Sequence, residues 1–562
     1  MNTGLLAANA TTAEGVGLAI WFLAGTVLVF FMQCGFAMVE TGFTRAKNAG
    51  NIIMKNFVDF CIGSIAFVLI GFYLMKSKAY FSGWVGVPEF DLLKDFDGFL
   101  SSGQCSTFVF GVVFCATATT IAAGALAERT KFSAYCIYSI VMSALVFPIE
   151  AGWVWNSQGW LAKLGFTDFA GSCAIHMVGG ITALIGAYFV GPRIDKYHKD
   201  EKGKTVANAI PGHSIPMAAL GCFILWFGWY GFNGAAASSV IQLGRIFMTT
   251  TLAPSAALIA CMLFTWWKNG HPDVAMCLNA VIAGLVSVTA GCAYLDAVGS
   301  IIIGAVAGIL VVIGTEFIDK KLHIDDPVGA VAVHGISGIW GTFAIGLFDT
   351  ELGLFYSGTF NLLVVQLLGI VAIAAFTAAC MILTFFLLKK FVGLRVSKED
   401  EILGLDMSEH GLPAAYADFQ LAAPVHTVED EFDLDLDDLE PVVITDAAER
   451  SGERYTKITI ICNEDKFGVL KDAMAVIGVT GMTVSNVVGC GVQKGRSGSY
   501  RGVRMSMNLL PKVQVDIVVS TVDPGLVVAA AQRALHSGQV GDGKIFVTDV
   551  TDVMRVRTGS MG

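Results

Sequence analysis

Two histidines stand at matching places in a repeated stretch of this chain. The first copy runs from Asp168 through Gly171, Ala174 and His176 to Gly180, and the second from Asp326 through Gly329, Ala332 and His334 to Gly338, with the same spacing throughout. Each copy opens an apolar run with no other ionisable group near its middle, so each places one imidazole where the sequence reads as hydrocarbon-depth helix. A polar ring left unpaired there is costly, and a satisfied packing role is the ordinary explanation for a single one. A matched pair satisfies itself if the two rings meet. Two chemical uses follow: axial ligation of a haem, or relay of a proton by a group that titrates near neutrality. A haem needs room between the rings, whereas the small residues Gly179, Gly180, Ser337 and Gly338 bring backbones close.

Aromatic residues accompany the pair. Phe110 and Phe114 lie one helical turn apart, and Phe232 precedes Asn233 at the end of a tryptophan-rich run, so their rings either line a narrow path or form ordinary core. Trp155 offers a π face to a cation, or belongs to an interfacial belt. Asp168 and Asp326 each stand where a helix starts, with Pro327 at the favoured first position, which suits N-capping. Eight residues separate each Asp from its His, or about 12 Å along a helix, which takes histidines entering from opposite faces of a core of about 30 Å to similar depth.

The elements that must position these side chains are membrane helices. The chain is 55% hydrophobic and only 15% charged over 562 residues, with a mean hydropathy of +0.66, which excludes an ordinary soluble globular protein. About eleven apolar spans are expected, at roughly 15–38, 55–75, 104–127, 132–150, 170–190, 214–236, 248–267, 275–292, 297–318, 329–348 and 361–388. An odd number puts the ends on opposite sides. Arg45, Lys47, Lys55, Arg129, Lys131, the basic run 193–204, Lys268, Lys320 and Lys321 then share one side, so the positive-inside rule sets the N-terminus outside and the C-terminal region in the cytoplasm. The two histidine segments become antiparallel, an inverted repeat. The thirteen cysteines are scattered singly, with no metal-ligand spacing.

Beyond Lys389 and Lys390 the pattern changes. Residues 429–440 are acidic and poor in large apolar side chains, which reads as a flexible linker and accounts for much of the net charge of −10. That charge argues against a nucleic-acid partner. From 455 the order is βαββαβ, ferredoxin-like, with strands at 456–462, 513–519 and 545–556 and helices at 466–477 and 524–535. Residues 491–508 form a long Gly/Ser-rich loop carrying basic residues. The stretch Gly541, Asp542, Gly543, Lys544 either presents amides and an ammonium to a phosphate or makes a plain turn. Arg555 and Arg557, two apart on a strand, would face the same way and clamp one anion.

The stretches 124–129, 168–176, 231–233, 325–334 and 404–411 together resemble the Amt/Mep/Rh ammonium transporter family over about residues 15–415. The resemblance implies a trimer with one pore per subunit, Trp155 and Phe114 at an outer ammonium site with Phe110 near it, and Phe114 and Phe232 as a gate. It further implies His176 and His334 as twin pore histidines, and Asp168 as a carboxylate favouring the cation. Ala236 stands where the family has its outer-site serine, with Ser238 two residues on. Physical chemistry agrees with such a pore. Ammonium and potassium are similar cations, but only ammonium can leave its proton at a water-poor aromatic constriction and pass as ammonia while imidazoles carry the proton.

Residues 455–562 resemble the PII-type nitrogen regulators, through Gly481 to Val484, Gln493 to Gly495, Tyr500 to Gly502, Leu510 to Lys512, Gly541 to Val547 and Arg555 to Gly559. That resemblance implies ATP or ADP held by Gly541, Asp542, Gly543, Lys544, Arg555, Arg557 and Gln493 between trimer subunits. It also implies magnesium and 2-oxoglutarate at Gln493 and Lys512, and Arg501 as the loop residue that plugs an ammonium pore. Met505 stands where the family has its modifiable tyrosine, and residues 463–466 depart from the usual Lys-Pro-Phe-Lys. The whole reads as a homotrimeric, multi-pass transporter of the cytoplasmic (inner) membrane, not an enzyme, surrounded by lipid and gated by its own regulator. Its expected domains are a membrane domain at 1–392, a cytoplasmic segment at 393–424, an acidic linker at 425–454 and the regulatory domain at 455–562. Two alternatives stand beside it: an ammonium sensor whose regulator is the signalling output, and a membrane haem oxidoreductase.

Overall fold

The computed structural model describes residues 12–412, apart from 89, 91–93 and 102–103, and residues 455–561, apart from 464–465, 490–496, 501–502, 507–509 and 539–541. The acidic linker, Gln493, Arg501 and Gly541 therefore lie outside the described residues. The chain divides into two compact units.

Among the described residues the first unit holds ten helices long and apolar enough to cross a membrane. In chain order with one shorter apolar helix they are α1 Ala13–Phe43, α2 Ala46–Lys76, α3 Gln104–Ala125, α4 Phe132–Lys163, α5 Ser172–Val190, α6 Ile215–Gly234, α7 Val240–Asn269, α8 Val274–Thr289, α9 Ala297–Leu322, α10 Val331–Phe348 and α11 Asn361–Phe391. Their starts carry the side chains that helix starts require: Thr12, Ser214, Ser239, Asp273 and Asp296 each accept a hydrogen bond from an amide of the first turn. The eighth expected span appears as the 16-residue α8.

The second expected span began at 55, with Lys55 in a loop, and here the structure differs. Helix α2 starts nine residues earlier, and Lys55 is fully buried within it. The polar first turn is held by a segment far along the chain, α12 Lys398–Leu403 and α13 Leu405–His410. The Asp406 carboxylate accepts from the amides of Gly50 (3.0 Å) and Asn51 (2.8 Å), and Asn48 Oδ1 accepts from the Leu405 amide (2.9 Å). Glu409 takes the Phe132 amide at the start of α4, and Glu401 takes the Ile194 amide. One short segment thus satisfies donors on three separate connections.

Close packing follows from small residues. Helices α1 and α6 lie antiparallel, and a Cβ on Gly35 would stand 3.0 Å from the Gly221 carbonyl while one on Gly231 would stand 2.7 Å from that of Gly25. Helices α5 and α10 cross antiparallel in the same way, through Gly180 against Gly335 and Gly338 against Ser172 and Met177.

In the second unit a four-stranded antiparallel sheet is built from β1 Tyr455–Cys462, β2 Thr483–Gly489, β3 Leu510–Val519 and β4 Lys544–Val550, in the order β4-β1-β3-β2. Helices α14 Phe467–Val476 and α15 Pro524–Leu535 pack on it, and α15 begins with the Asp523 cap and Pro524. β1 alternates half-buried and buried along its whole length, with Thr456, Ile458, Ile460 and Cys462 turned into the core.

Candidate functional site

The two Asp-to-His stretches fold alike. Gly171 (φ 112°) and Gly329 (φ 83°) adopt the left-handed conformation that glycine allows, so the preceding Asp can fold back over the helix start. Asp168 then accepts four amides, from Gly171, Ser172, Cys173 and Ala174 at 2.8–3.0 Å. Asp326 accepts those of Gly329 and Val331 at 2.9 and 2.8 Å. Each cap is followed by a wider π-helical turn, Ser172–Met177 and Val331–Ile336, which contains the histidine. Capping is thus what the geometry assigns to both carboxylates. The Asp168 carboxylate is turned to the helix start, and its main-chain carbonyl meets the Trp155 indole.

The antiparallel crossing brings the imidazoles together near the starts of the two helices. Nδ1 of His334 lies 3.2 Å from Nδ1 of His176, with the rings nearly parallel (20°). One ring must donate and the other accept, so the two tautomers are complementary: the donor presents a bare Nε2, the acceptor an Nε2–H. Nε2 of His176 is buried and has no hydrogen-bond partner among the described residues.

The aromatic residues form a continuous stack ending on this pair. Phe110 and Phe114 have centroids 4.2 Å apart, Phe114 and Phe232 stack at 4.6 Å, and Phe232 lies 5.5 Å from His176. Trp155 stands 5.8 Å from Phe114, and its indole donates to the Asp168 carbonyl at 2.7 Å. The expected pore residues Phe110, Phe114, Trp155, Asp168, Phe232, His176 and His334 therefore lie within one chain of contacts. Ser238, two residues beyond Ala236, is exposed and engages Gln242.

Three carboxylates inside the spans escape sequence reasoning, Glu40, Asp59 and Glu150, all buried, and Lys55, read there as a loop cation, is buried with them. A signal for the carboxylates is present, since an acidic residue within an apolar run is itself unusual. Asp59 is matched by Tyr135 (2.6 Å) and Ser139 (2.7 Å), whereas both carboxyl oxygens of Glu150 lack partners among the described residues. Toward one end of the unit Arg193 bridges Glu128 and Asp325, each at 2.8 Å, and Arg45 joins Glu128. Burial alone would raise both carboxyls, but Arg193 with Arg129 holds Asp325, and Arg193 with Arg45 holds Glu128, below the ordinary carboxylate range.

In the second unit, Asp542 accepts from Ser537 and the Gly538 amide, and Gly543 (φ 134°) leads into β4 at the exposed Lys544. The long last strand is corrected. β4 ends at Val550, Met554–Arg555 pairs with Ser560–Met561 as a separate hairpin, and Arg557 sits in its turn. Alternation along one strand therefore cannot align Arg555 with Arg557, because the chain reverses between 555 and 560. Lys512 donates to Asn463, so the departure at 463–466 reaches the lysine expected to serve 2-oxoglutarate.

Residues 20–415 match the model of the Ammonium Transporter Family, and residues 455–560 match that of the nitrogen regulatory protein P-II. The chain is 41% identical over 426 residues to ammonium transporter Amt2 of Archaeoglobus fulgidus, covering 71% of this chain and 88% of that one. It is 36% identical over 407 residues to ammonium transporter 3 of Dictyostelium discoideum, covering 70% and 92%. Among solved structures, one described as a sensor Amt protein superposes with a TM-score of 0.65 at 37% identity, covering 70% of this chain and 97% of that one. Mep2 of Candida albicans superposes with a TM-score of 0.62 at 26% identity, covering 68% and 86%.

Proposed function

Because the chain belongs to the Ammonium Transporter Family and carries a P-II region after its membrane helices, we propose that it moves ammonium through a pore centred on His176 and His334, controlled by its own C-terminal unit. The observation that carries this reading is the Nδ1 to Nδ1 contact of 3.2 Å at the end of the stack of Phe110, Phe114 and Phe232. Packed rings exclude hydrating water, so a cation reaching Phe114 and Phe232 passes only by leaving its proton. A proton taken on the bare Nε2 of one ring moves across the shared Nδ1 contact and leaves from Nε2 of the other. Each passage reverses the tautomers, so the pair must reset before the next.

The finer features belong to the same proposal. Trp155 with Phe114 receives the cation, the eleven apolar helices span a cytoplasmic membrane with the N-terminus outside, and three subunits assemble about one axis. The domains divide at 392, 424 and 454. The sheet order β4-β1-β3-β2 supports a ferredoxin-like regulator, with nucleotide near Lys544, Arg555 and Arg557, magnesium and 2-oxoglutarate near Gln493 and Lys512, and Arg501 as the plug. Tethering favours such control, because a plug on a flexible linker acts at an effective concentration of about a millimolar.

The test is the current evoked by ammonium, against potassium, from full-length protein in a planar or solid-supported membrane, with and without ATP or ADP. Current that responds to nucleotide in the full chain and ignores it after truncation near residue 450 upholds the reading. A second reading draws on the similarity to a sensor Amt protein: the membrane unit detects ammonium and the C-terminal unit signals. Absence of any ammonium current, with ammonium still changing nucleotide affinity, would favour that sensor.

A further inference from the structure

Helix α1 carries one buried carboxylate in its last turn. Glu40 is 3% exposed and lines a cavity together with His334, Phe36, Ile121, Asn279 and Val333. His176 stacks on Trp229 and Phe232, so this cavity lies on the other side of the imidazole pair from the aromatic stack. The carboxylate is held in place. Asn56 Nδ2 donates to Glu40 Oε2 at 2.9 Å, and the amide is oriented by Thr120 Oγ1, which donates to Asn56 Oδ1 at 2.9 Å. Nδ2 also donates to the Ile52 carbonyl at 3.0 Å. A carboxylate buried to this extent is ordinarily neutralised by a cation. Among the described residues Glu40 forms no ion pair; Lys55 and Asp59 on α2 are the charged groups near it, and His334 on α10 is the titratable group that shares its cavity.

We propose that Glu40 accepts the proton that leaves the histidine pair and is the place where ammonium forms again. The direction of the step rests on the transport reading above. Protonated His334 gives up the proton on Nε2: an N–H bond breaks, an O–H bond forms on Glu40, and the imidazole is left neutral. The carboxylic acid then protonates ammonia in the cavity, which breaks the O–H bond and makes the fourth N–H bond of ammonium. Charge and protons balance with no further reactant, and the product cation stands beside the carboxylate that made it. Asn56 is a positioning residue that holds the carboxyl at the cavity wall.

The experiment compares the full-length wild type with Glu40→Gln and Glu40→Asp in reconstituted membranes, by ammonium-evoked current over a range of pH and by infrared difference spectra on adding ammonium. The expected result for Glu40→Gln is a current lower by on the order of a hundredfold, the low end of what a positioned acid or base contributes, with a flattened pH profile and loss of a carboxyl band that ammonium perturbs in the wild type. Glu40→Asp should restore much of the current. A Glu40→Gln protein that keeps the wild-type current and pH profile, or that keeps the infrared change, overturns the proposal. If the wild type carries no current, the transport reading falls and the infrared comparison alone decides for or against Glu40. If the Gln variant does not assemble, the band of the Asp variant decides: a shifted band supports the assignment, and an unshifted one overturns it.

Discussion

The two halves of the histidine pair share a backbone device and differ in everything around it. Both rest on an Asp cap, a left-handed glycine and a π-helical turn. His176 is sealed among Trp229, Phe232 and its partner ring, whereas His334 opens on a cavity shared with Glu40. A repeat can therefore conserve the means of placing an imidazole while its two copies come to serve different surroundings. One ring meets a dry aromatic constriction, the other a largely apolar cavity with Glu40 and Asn279 in its wall.

That contrast is open to direct attack. The largest effect should come from His176→Ala, which leaves an apolar gap where no water is held; ammonium current should fall by on the order of a hundredfold. His334→Ala borders a cavity that water can enter, so its loss should be smaller, and equal losses would erase the distinction. Next is the Asp168 cap. At about 1 kcal/mol for each hydrogen bond, Asp168→Ala should destabilise by about 4 kcal/mol. Thermal unfolding of the detergent-solubilised protein should show that loss, and an unchanged midpoint would contradict the capping geometry.

The glycine contact gives a sharper comparison at a single point. A Cβ on Gly180 would lie 2.1 Å from the Gly335 nitrogen, but a Cβ on Gly335 would lie no closer than 3.4 Å to Gly180. Gly180→Ala should cost about 1–3 kcal/mol, and Gly335→Ala much less, as read by the same unfolding assay. The smallest effect is a response to acid. Asp325 and Glu128 are held below their ordinary values by Arg193, so their stabilising contribution is complete above the unfolded carboxylate range, about pH 4, and is lost as the pH falls below it. Arg193→Gln leaves those carboxylates buried without their cation, so it should lower stability at neutral pH and weaken the acid dependence.

Much of this is legible in one sequence. The repeat locates both histidines because it pairs glycines, alanines and aspartates at fixed offsets, and the cap geometry explains why those types recur. Phe110, Phe114, Phe232 and Trp155 are visible as aromatic spacing, although only the fold shows that they touch. Three features are hidden for physical reasons. The start of α2 escapes because its polar turn is stabilised by Asp406, more than three hundred residues away in the chain. Lys55 reads as a loop cation because charge suggests water, and burial depends on partners that no local pattern reveals. The last strand reads too long because 545–556 keeps its alternating character beyond the end of β4, and strand propensity does not mark where pairing ends.

The contact of Gly180 with Gly335 has a mechanical consequence. Where two helices touch through side chains, a squeeze or a stretch is absorbed by rotamers and small voids. Here backbone rests on backbone, and little can be compressed. Lateral tension in the bilayer acts on the lipid-facing helices. It should reach the two imidazoles as a small rotation about that point of contact, not as a change in their separation. Proton exchange between the rings should then be nearly insensitive to membrane thickness, in contrast to a pathway whose width is set by flexible side chains.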